Sequence, residues 1–211
     1  MAENYQKKLD AELHRILETG RKPRLLLHVC CAPCSSYVLE YLNRYFEITV
    51  CFYNPNISPK SEYDYRAQEL LRLTQEMPLS LPVHCHIEDY DPTPFMAIAK
   101  GLENEPEGGA RCTACYRLRL EHTAQIAAAD EYDYFTTTLS ISPLKDAERL
   151  NRIGGELAQE YGVPYLFSDF KKREGYKRSI QLSSEYHLYR QDYCGCAFSK
   201  VEAETRKSNK N

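Results

Sequence analysis

Short apolar runs alternate with segments of helical periodicity along most of this chain, and that alternation restricts its fold more than any other feature. Leu25–Val29 suits a buried strand; Val38, Leu39 and Leu42 then recur at helical spacing behind Ser35 and Ser36, which read as caps. A second strand, Glu47–Tyr53, stops at the turn-forming Asn54-Pro55-Asn56. Glu62–Met77 reads as a helix, Val83–Ile87 as a third strand, and further helices start near Pro94 and Cys112. A fourth strand at Tyr134–Leu139, a helix at Lys145–Tyr161 and a fifth strand at Pro164–Phe167 complete the series. The pattern predicts an α/β domain with a parallel sheet and helices on both faces. Ligands of such sheets bind outside the carboxyl ends of the strands. Cys30-Cys31, Tyr53–Asn56, Ser140–Ser142 and Ser168-Asp169 are therefore expected along one rim.

At 211 residues and 43% hydrophobic content, the chain can bury a core without covalent staples. Residues 1–22 read as a helical extension, 23–198 as a single catalytic domain with a helical C-terminal elaboration, and 199–211 as a polar, frayed tail. The N-terminus has no apolar signal core, and no stretch is long enough to cross a bilayer, so a cytoplasmic protein with no membrane partner is expected. A net charge of −3 does not announce a nucleic-acid binder, although Lys171-Lys172-Arg173 and Lys177-Arg178 form a local basic run.

Seven of the nine cysteines fall into three groups: Cys30-Cys31-x-x-Cys34, Cys112-x-x-Cys115 and Cys194-x-Cys196. Clustered cysteines in a cytosolic protein bind metal or do redox work more often than they form structural disulfides. Cys112 and Cys115 lie on one face at a helix start, where the helix dipole and Arg111, Arg117 and Arg119 favour thiolates. Cys30 and Cys31 bring the count to four thiolates, as an iron–sulfur cluster or a structural zinc requires. Zinc leaves Cys34, Cys194 and Cys196 without work, which favours electron transfer. Cys194-Gly195-Cys196 can hold two electrons as a dithiol and release them on closing a strained disulfide, or supply further metal ligands. Cys51 and Cys85 read as small core residues, and His84 and His86 as satisfied strand-edge groups. The first strand ends without the glycines of a phosphate loop, which argues against ATP chemistry.

Five ordered blocks then carry a resemblance. They are His28-Val-Cys-Cys-Ala-Pro33; Phe52-Tyr-Asn-Pro-Asn-Ile57 with Glu62, Tyr63 and Arg66; Gly109-Ala-Arg-Cys-Thr-Ala-Cys115; Thr137-Thr-Leu-Ser-Ile-Ser-Pro143 with Lys145; and Leu188-Tyr-Arg-Gln-Asp-Tyr-Cys-Gly-Cys196. Together they resemble the epoxyqueuosine reductase QueH family over roughly residues 25 to 200. The resemblance implies a HUP-type, PP-loop-like fold and reduction of epoxyqueuosine in tRNA to queuosine, without cobalamin or ATP. It implies Cys30, Cys31, Cys112 and Cys115 as ligands of a [4Fe-4S] cluster and Cys194 with Cys196 as a redox-active pair. Cys34 becomes an additional ligand, to the cluster or to a mononuclear iron beside it. Tyr53, Asp192 and Tyr193 are candidate proton donors; Asn54, Asn56, Glu62, Arg66, Ser140 and Ser142 are candidate contacts to the modified base. The partners expected are tRNA carrying epoxyqueuosine, gripped by Lys171–Arg178 and Arg149 or Arg152, and an unidentified electron donor. Two other classes remain: another iron–sulfur tRNA enzyme, such as a sulfur transferase, and a zinc-stabilised RNA-binding module.

Overall fold

The computed structural model describes residues 3–208. Four parallel strands form one sheet: β1 (Arg24–His28), β2 (Glu47–Phe52), β3 (His84–Ile87) and β4 (Tyr134–Thr137), in the order β3-β2-β1-β4. Leu26 pairs with Thr49 on one side and Phe135 on the other, so β1 is central. Alternating residues of the sheet enter two apolar layers. Leu25, Leu27, Ile48 and Val50 face α1 (Tyr5–Thr19), α2 (Ala32–Leu42) and α3 (Lys60–Glu76). Leu26, Cys51 and Phe135 face α5 (Ala110–Ala129) and α6 (Ala147–Tyr161), while α4 (Thr93–Ala99) packs on α5 and α7 (Gly175–Glu185) on α2. This is the α/β, Rossmann-like arrangement with helices on both faces that the alternation predicts.

The chain winds outward from β1 through β2 to β3 and then returns to the other side of β1 for β4. The direction of winding reverses between β1 and β4, and a crevice opens there at their carboxyl ends. β1 delivers Cys30 and Cys31 to that crevice, and a short 3-10 helix, Thr138–Ile141, follows β4. His28, fully buried at the end of β1, braces the rim. Its ring nitrogens meet the Thr137 hydroxyl at 2.8 Å and the Tyr53 carbonyl at 3.2 Å. Burial foremost, and then the charge of Arg119, pull its pKa down to about 3, so the ring is neutral.

Three expectations need correction. Pro164–Phe167 makes only a single bridge, Tyr165 to Phe135, and not a fifth strand. Beyond it, Asn151 on α6 binds the backbone of Ser168 through both ends of its amide, at 2.9 and 2.8 Å, and so replaces a strand partner. Ser35 and Ser36 lie inside α2 and not at its cap, with hydroxyls bonded back to the carbonyls of Cys31 and Pro33. The cap position belongs to Cys31. Of the tail expected to be frayed, residues 199–208 belong to the helix α8 (Ala197–Ser208). Their polarity hides specific anchors: Glu202 pairs with the buried Arg111 at 3.2 Å and accepts the Glu107 N–H, while Ser199 and Ala203 are buried. Among the described residues no helix is long and apolar enough to cross a membrane.

Candidate thiol-lined active site

The Cys30, Cys31 and Cys34 sulfurs all lie within 4.8 Å of one another. Cys31 ends the β1 turn in extended backbone and caps α2, while Cys34 sits one turn into that helix. The helix therefore aims its positive end at two of the three sulfurs. The Cys30 thiol donates to the Cys31 sulfur over 3.8 Å, which pushes Cys30 up to about 11. Cys31, accepting from Cys30 and Cys34 and facing Arg66, is held well below the ordinary thiol range. Within the trio, Cys31 is therefore the most acidic thiol, because its two neighbours donate to its sulfur.

These sulfurs line a cavity of about 310 Å³ whose wall also includes Cys194, Arg66 and Arg119. A smaller cavity adjoins it, lined by Cys112, Cys115, Cys194, Cys196, Asn56 and Arg119. Cys194 and Arg119 belong to both. Cys115 and Cys196 also pack together beside Phe95 and Ala99. Cys112, near the start of α5, accepts the Gly108 N–H at 3.2 Å; burial nevertheless raises its thiol, and pushes Cys115 up to about 12. All nine cysteines are free thiols. The structure therefore brings together the seven clustered cysteines as two adjoining sets, Cys30/Cys31/Cys34 and Cys112/Cys115/Cys194/Cys196. Cys51 is buried in the α5 layer and Cys85 lies beside Thr74 at 3.6 Å.

Three cations offset this concentration of sulfur. Arg66, only 2% exposed, pairs with Glu62 and donates to the Cys194 carbonyl at 3.1 Å. Arg119 is fully buried, and its Nη2 has no hydrogen-bond partner among the described residues. Lys145 is buried against Glu107 at 3.2 Å. Burial alone would lower the pKa of the Lys145 and Arg119 groups, but coupling to ionisable neighbours, the Cys194 sulfur first for Lys145 and the Cys115 sulfur first for Arg119, shifts both upward, so both side chains are cations. Lys145 is legible in the sequence as a motif residue and Arg119 as a positive charge near Cys115, but nothing in the sequence alone points a long cation inward. Three thiols in ligand range, with further thiols and buried cations beside them, fit a thiolate-bound metal or cluster.

Several residues expected to bind substrate or deliver protons are otherwise engaged. Asn54 is buried, donates to the Val29 carbonyl at 2.8 Å and accepts from Arg119 at 3.4 Å; it positions the arginine. Glu62 is taken up by Arg66, with the Tyr189 hydroxyl 3.4 Å from its other oxygen. Ser140 is buried against Ser168 and lies outside both cavity walls. Ser142 lines the larger cavity, although its hydroxyl accepts the Leu144 N–H at 3.3 Å. Asn56 lines the smaller one with a buried Oδ1 that has no partner among the described residues. Tyr53 stacks on His122 with 3.8 Å between ring centroids and lines neither cavity. Asp192 is at the cavity edge, but it is exposed and ion-paired with Lys207, which lowers its pKa and leaves no proton to give at neutral pH. Tyr193 lines the cavity, and burial raises its phenol so that it stays protonated.

The basic run is largely consumed by local carboxylates. Arg173 pairs with Asp10, Lys177 with Glu174 and Arg178 with Glu40, while Lys171 bonds to the Ser140 carbonyl. Arg152 pairs with Glu156, and Arg149 donates to the Gly108 carbonyl and Thr113. On the cavity wall itself stands Arg190, with its guanidinium 6.0 Å from the Tyr176 ring.

The fold resembles a solved structure titled as a predicted subunit of a tRNA methyltransferase from Methanocaldococcus jannaschii, with a TM-score of 0.50 and 16% identity over 76% of this chain and 74% of that one. This likeness concerns the fold alone. Sequence comparison reaches further. Residues 25–202 match the family model described as epoxyqueuosine reductase QueH. A protein of that name from Staphylococcus epidermidis is 44% identical over 94% of this chain and 85% of its own length. One from Streptococcus pyogenes is 45% identical, covering 84% of this chain and 71% of the relative. One from Thermotoga maritima is 35% identical, covering 84% and 91%. The matched span contains every cysteine of both sets, and the chain belongs to the epoxyqueuosine reductase QueH family.

Proposed function

We propose that this chain reduces epoxyqueuosine in tRNA to queuosine at an iron–sulfur site held by its clustered thiolates. The observation that carries the reading is the convergence of Cys30, Cys31 and Cys34 at the winding reversal of the sheet, beside a cavity shared with Cys194. Removing the epoxide oxygen takes two electrons and two protons, forms a carbon–carbon double bond and releases water. Cys30, Cys31, Cys112 and Cys115 are the ligands assigned to a [4Fe-4S] cluster, with Cys34 available to it or to a neighbouring mononuclear iron. Bound there, the cluster supplies single-electron transfer and a Lewis-acidic iron.

The remaining groups have distinct tasks. Oxidising Cys194 and Cys196 to a disulfide releases two electrons and two protons, the quantity the epoxide consumes. Arg66 holds the Cys194 backbone in place for that role. Lys145 and Tyr193 hold protons at the cavity wall, Lys145 as a charged ammonium and Tyr193 as a neutral phenol. Arg66, Arg119 and Lys145 lower the cost of gathering thiolates in a water-poor space. The substrate base leaves its loop to enter the cavity, where Tyr176 and Arg190 offer an aromatic face and a cation. The disulfide is reduced again by an external electron donor; the reaction uses neither ATP nor cobalamin and takes place in the cytoplasm.

Anaerobically purified protein is expected to contain about four irons and four acid-labile sulfides, with excess iron marking a second site, and to convert epoxyqueuosine-tRNA. Cys112→Ala is expected to lose both cluster and turnover. One zinc without sulfide, persisting after anaerobic reconstitution, would instead show that the thiolates are structural.

A further inference from the structure

Among the described residues, seven large hydrophobic side chains are well exposed, and of these Leu144 alone lines the thiol cavity. It is 66% exposed, so it stands at the cavity rim. Its backbone leaves little freedom. Ser142-Pro143-Leu144-Lys145 closes a turn through the Lys145 N–H to the Ser142 carbonyl at 3.1 Å, with proline at the position where its fixed φ is favoured. The Leu144 N–H is bonded to the Ser142 hydroxyl at 3.3 Å. After the tip, the Lys145 side chain turns inward to Glu107, and Lys171 reaches the Ser140 carbonyl at 3.0 Å on the other side of the turn. An apolar side chain is thus displayed to solvent on a pinned loop, beside the opening through which a base must pass.

Extruding one base into a cavity exposes the stacking face of its neighbour. A rigid apolar group at the rim can cover that face at little further entropic cost. We propose that Leu144 is a positioning residue that packs against the nucleotide flanking the extruded base, so that the loop stays open while the base is in the cavity. This assignment rests on the tRNA-reductase reading above.

The test uses the anaerobically prepared, cluster-loaded protein and an anticodon stem-loop RNA carrying epoxyqueuosine. Covering a leucine that is two-thirds exposed is expected to strengthen binding roughly tenfold. Leu144→Ala should therefore weaken Kd and raise KM by about that factor, with kcat changed less than twofold, and Leu144→Met should recover most of the loss. The decisive comparison removes the base, in turn, from each nucleotide flanking epoxyqueuosine. On one of these abasic RNAs, wild type and Leu144→Ala should bind alike, because the contact is gone from both. A Leu144→Ala Kd within twofold of wild type on intact RNA overturns the proposal. So does a tenfold loss that persists on both abasic RNAs, which would mean that Leu144 touches something else. If Leu144→Ala slows turnover only with a protein electron donor and not with dithionite, the leucine serves that donor and the proposal is wrong. Wild-type protein that neither binds nor converts the modified stem-loop would overturn the functional reading itself, and this inference with it.

Discussion

Replacing Arg66 with methionine removes a guanidinium that ties α3 to the loop carrying Cys194. The side chain is 2% exposed, bonds to Glu62 at 2.8 Å and to the Cys194 carbonyl at 3.1 Å, and lies 5.4 Å from the Tyr193 ring. Taking one partner from a buried ion pair costs about 3–5 kcal/mol, mostly because the other charge is left uncompensated. Glu62 keeps 14% exposure and stays near the Tyr189 hydroxyl, which places the expected loss near the lower end, about 3 kcal/mol. For a chain of this length that lowers Tm by roughly 6–12 °C in calorimetry of the anaerobic holoprotein. A local effect should accompany it: freed of its anchor, Cys194 should react with iodoacetamide several times faster, as read by mass spectrometry. Adding Glu62→Gln removes the orphaned charge, so Arg66→Met/Glu62→Gln should regain at least half of the lost stability. The reasoning fails if Arg66→Met costs under about 1 kcal/mol, or if the double variant is no more stable than the single one.

Two further changes probe the frame around the site. Gly195 has φ +127°, and a Cβ there would lie 3.0 Å from Ile57 Cγ1 and 3.2 Å from Arg66 Nη1. Gly195→Ala should cost about 2–3 kcal/mol in urea unfolding; a midpoint unchanged within error would show that the loop relaxes freely. Glu12 joins α1 to β4, and its pKa is lowered first by its hydrogen bond from Arg15 and also by that from Tyr134. A depressed folded pKa contributes stability above the unfolded value near ~4.3, and that stability is lost as pH falls through the lower folded value. Wild type should therefore exceed Glu12→Gln by about 1 kcal/mol at pH 7, and the gap should close below about pH 4; a gap independent of pH would refute the assignment.

The sheet was legible because its signals are local. Each of the four strands lies within a residue or two of an apolar run, and the turn at Asn54-Pro55-Asn56 falls where the sequence places it. The fifth run was misleading for a non-local reason: Asn151, some fifteen residues upstream, satisfies the Ser168 backbone that a neighbouring strand would otherwise engage. The α8 helix was hidden in the same way, because a polar sequence says nothing about Glu202 meeting a buried Arg111. In the site, cysteine spacing marked the thiols, but not their division into two adjoining sets with Cys194 and Arg119 between them. Polar residues near the rim were harder to judge. Asn54 and Asn56 are two apart in one turn, yet the Asn54 amide is taken up at both ends, by the Val29 carbonyl and by Arg119, while the Asn56 Oδ1, on the wall of the smaller cavity, has no partner among the described residues.

The position of the thiols follows from electrostatics that this architecture supplies without cysteine. Where a sheet of this kind reverses its winding, helix N-termini converge and favour anions; in nucleotide-binding relatives of the architecture the anion is a phosphate cradled by glycines. Here the cap of α2 is Cys31, Cys34 follows one turn later, and Cys112 occupies the first turn of α5. Sulfur thus stands where phosphate would, and the same dipoles that would hold a ligand's charge favour thiolates of the chain itself. Two helix ends cannot balance a site of up to seven sulfurs, which accounts for the burial of Arg66, Arg119 and Lys145 around it in a chain whose net charge is −3. Those cations have carbonyls, carboxylates and sulfurs as neighbours, and among the described residues the Arg119 Nη2 has no hydrogen-bond partner, so the site keeps positive charge beyond what its own hydrogen bonds use.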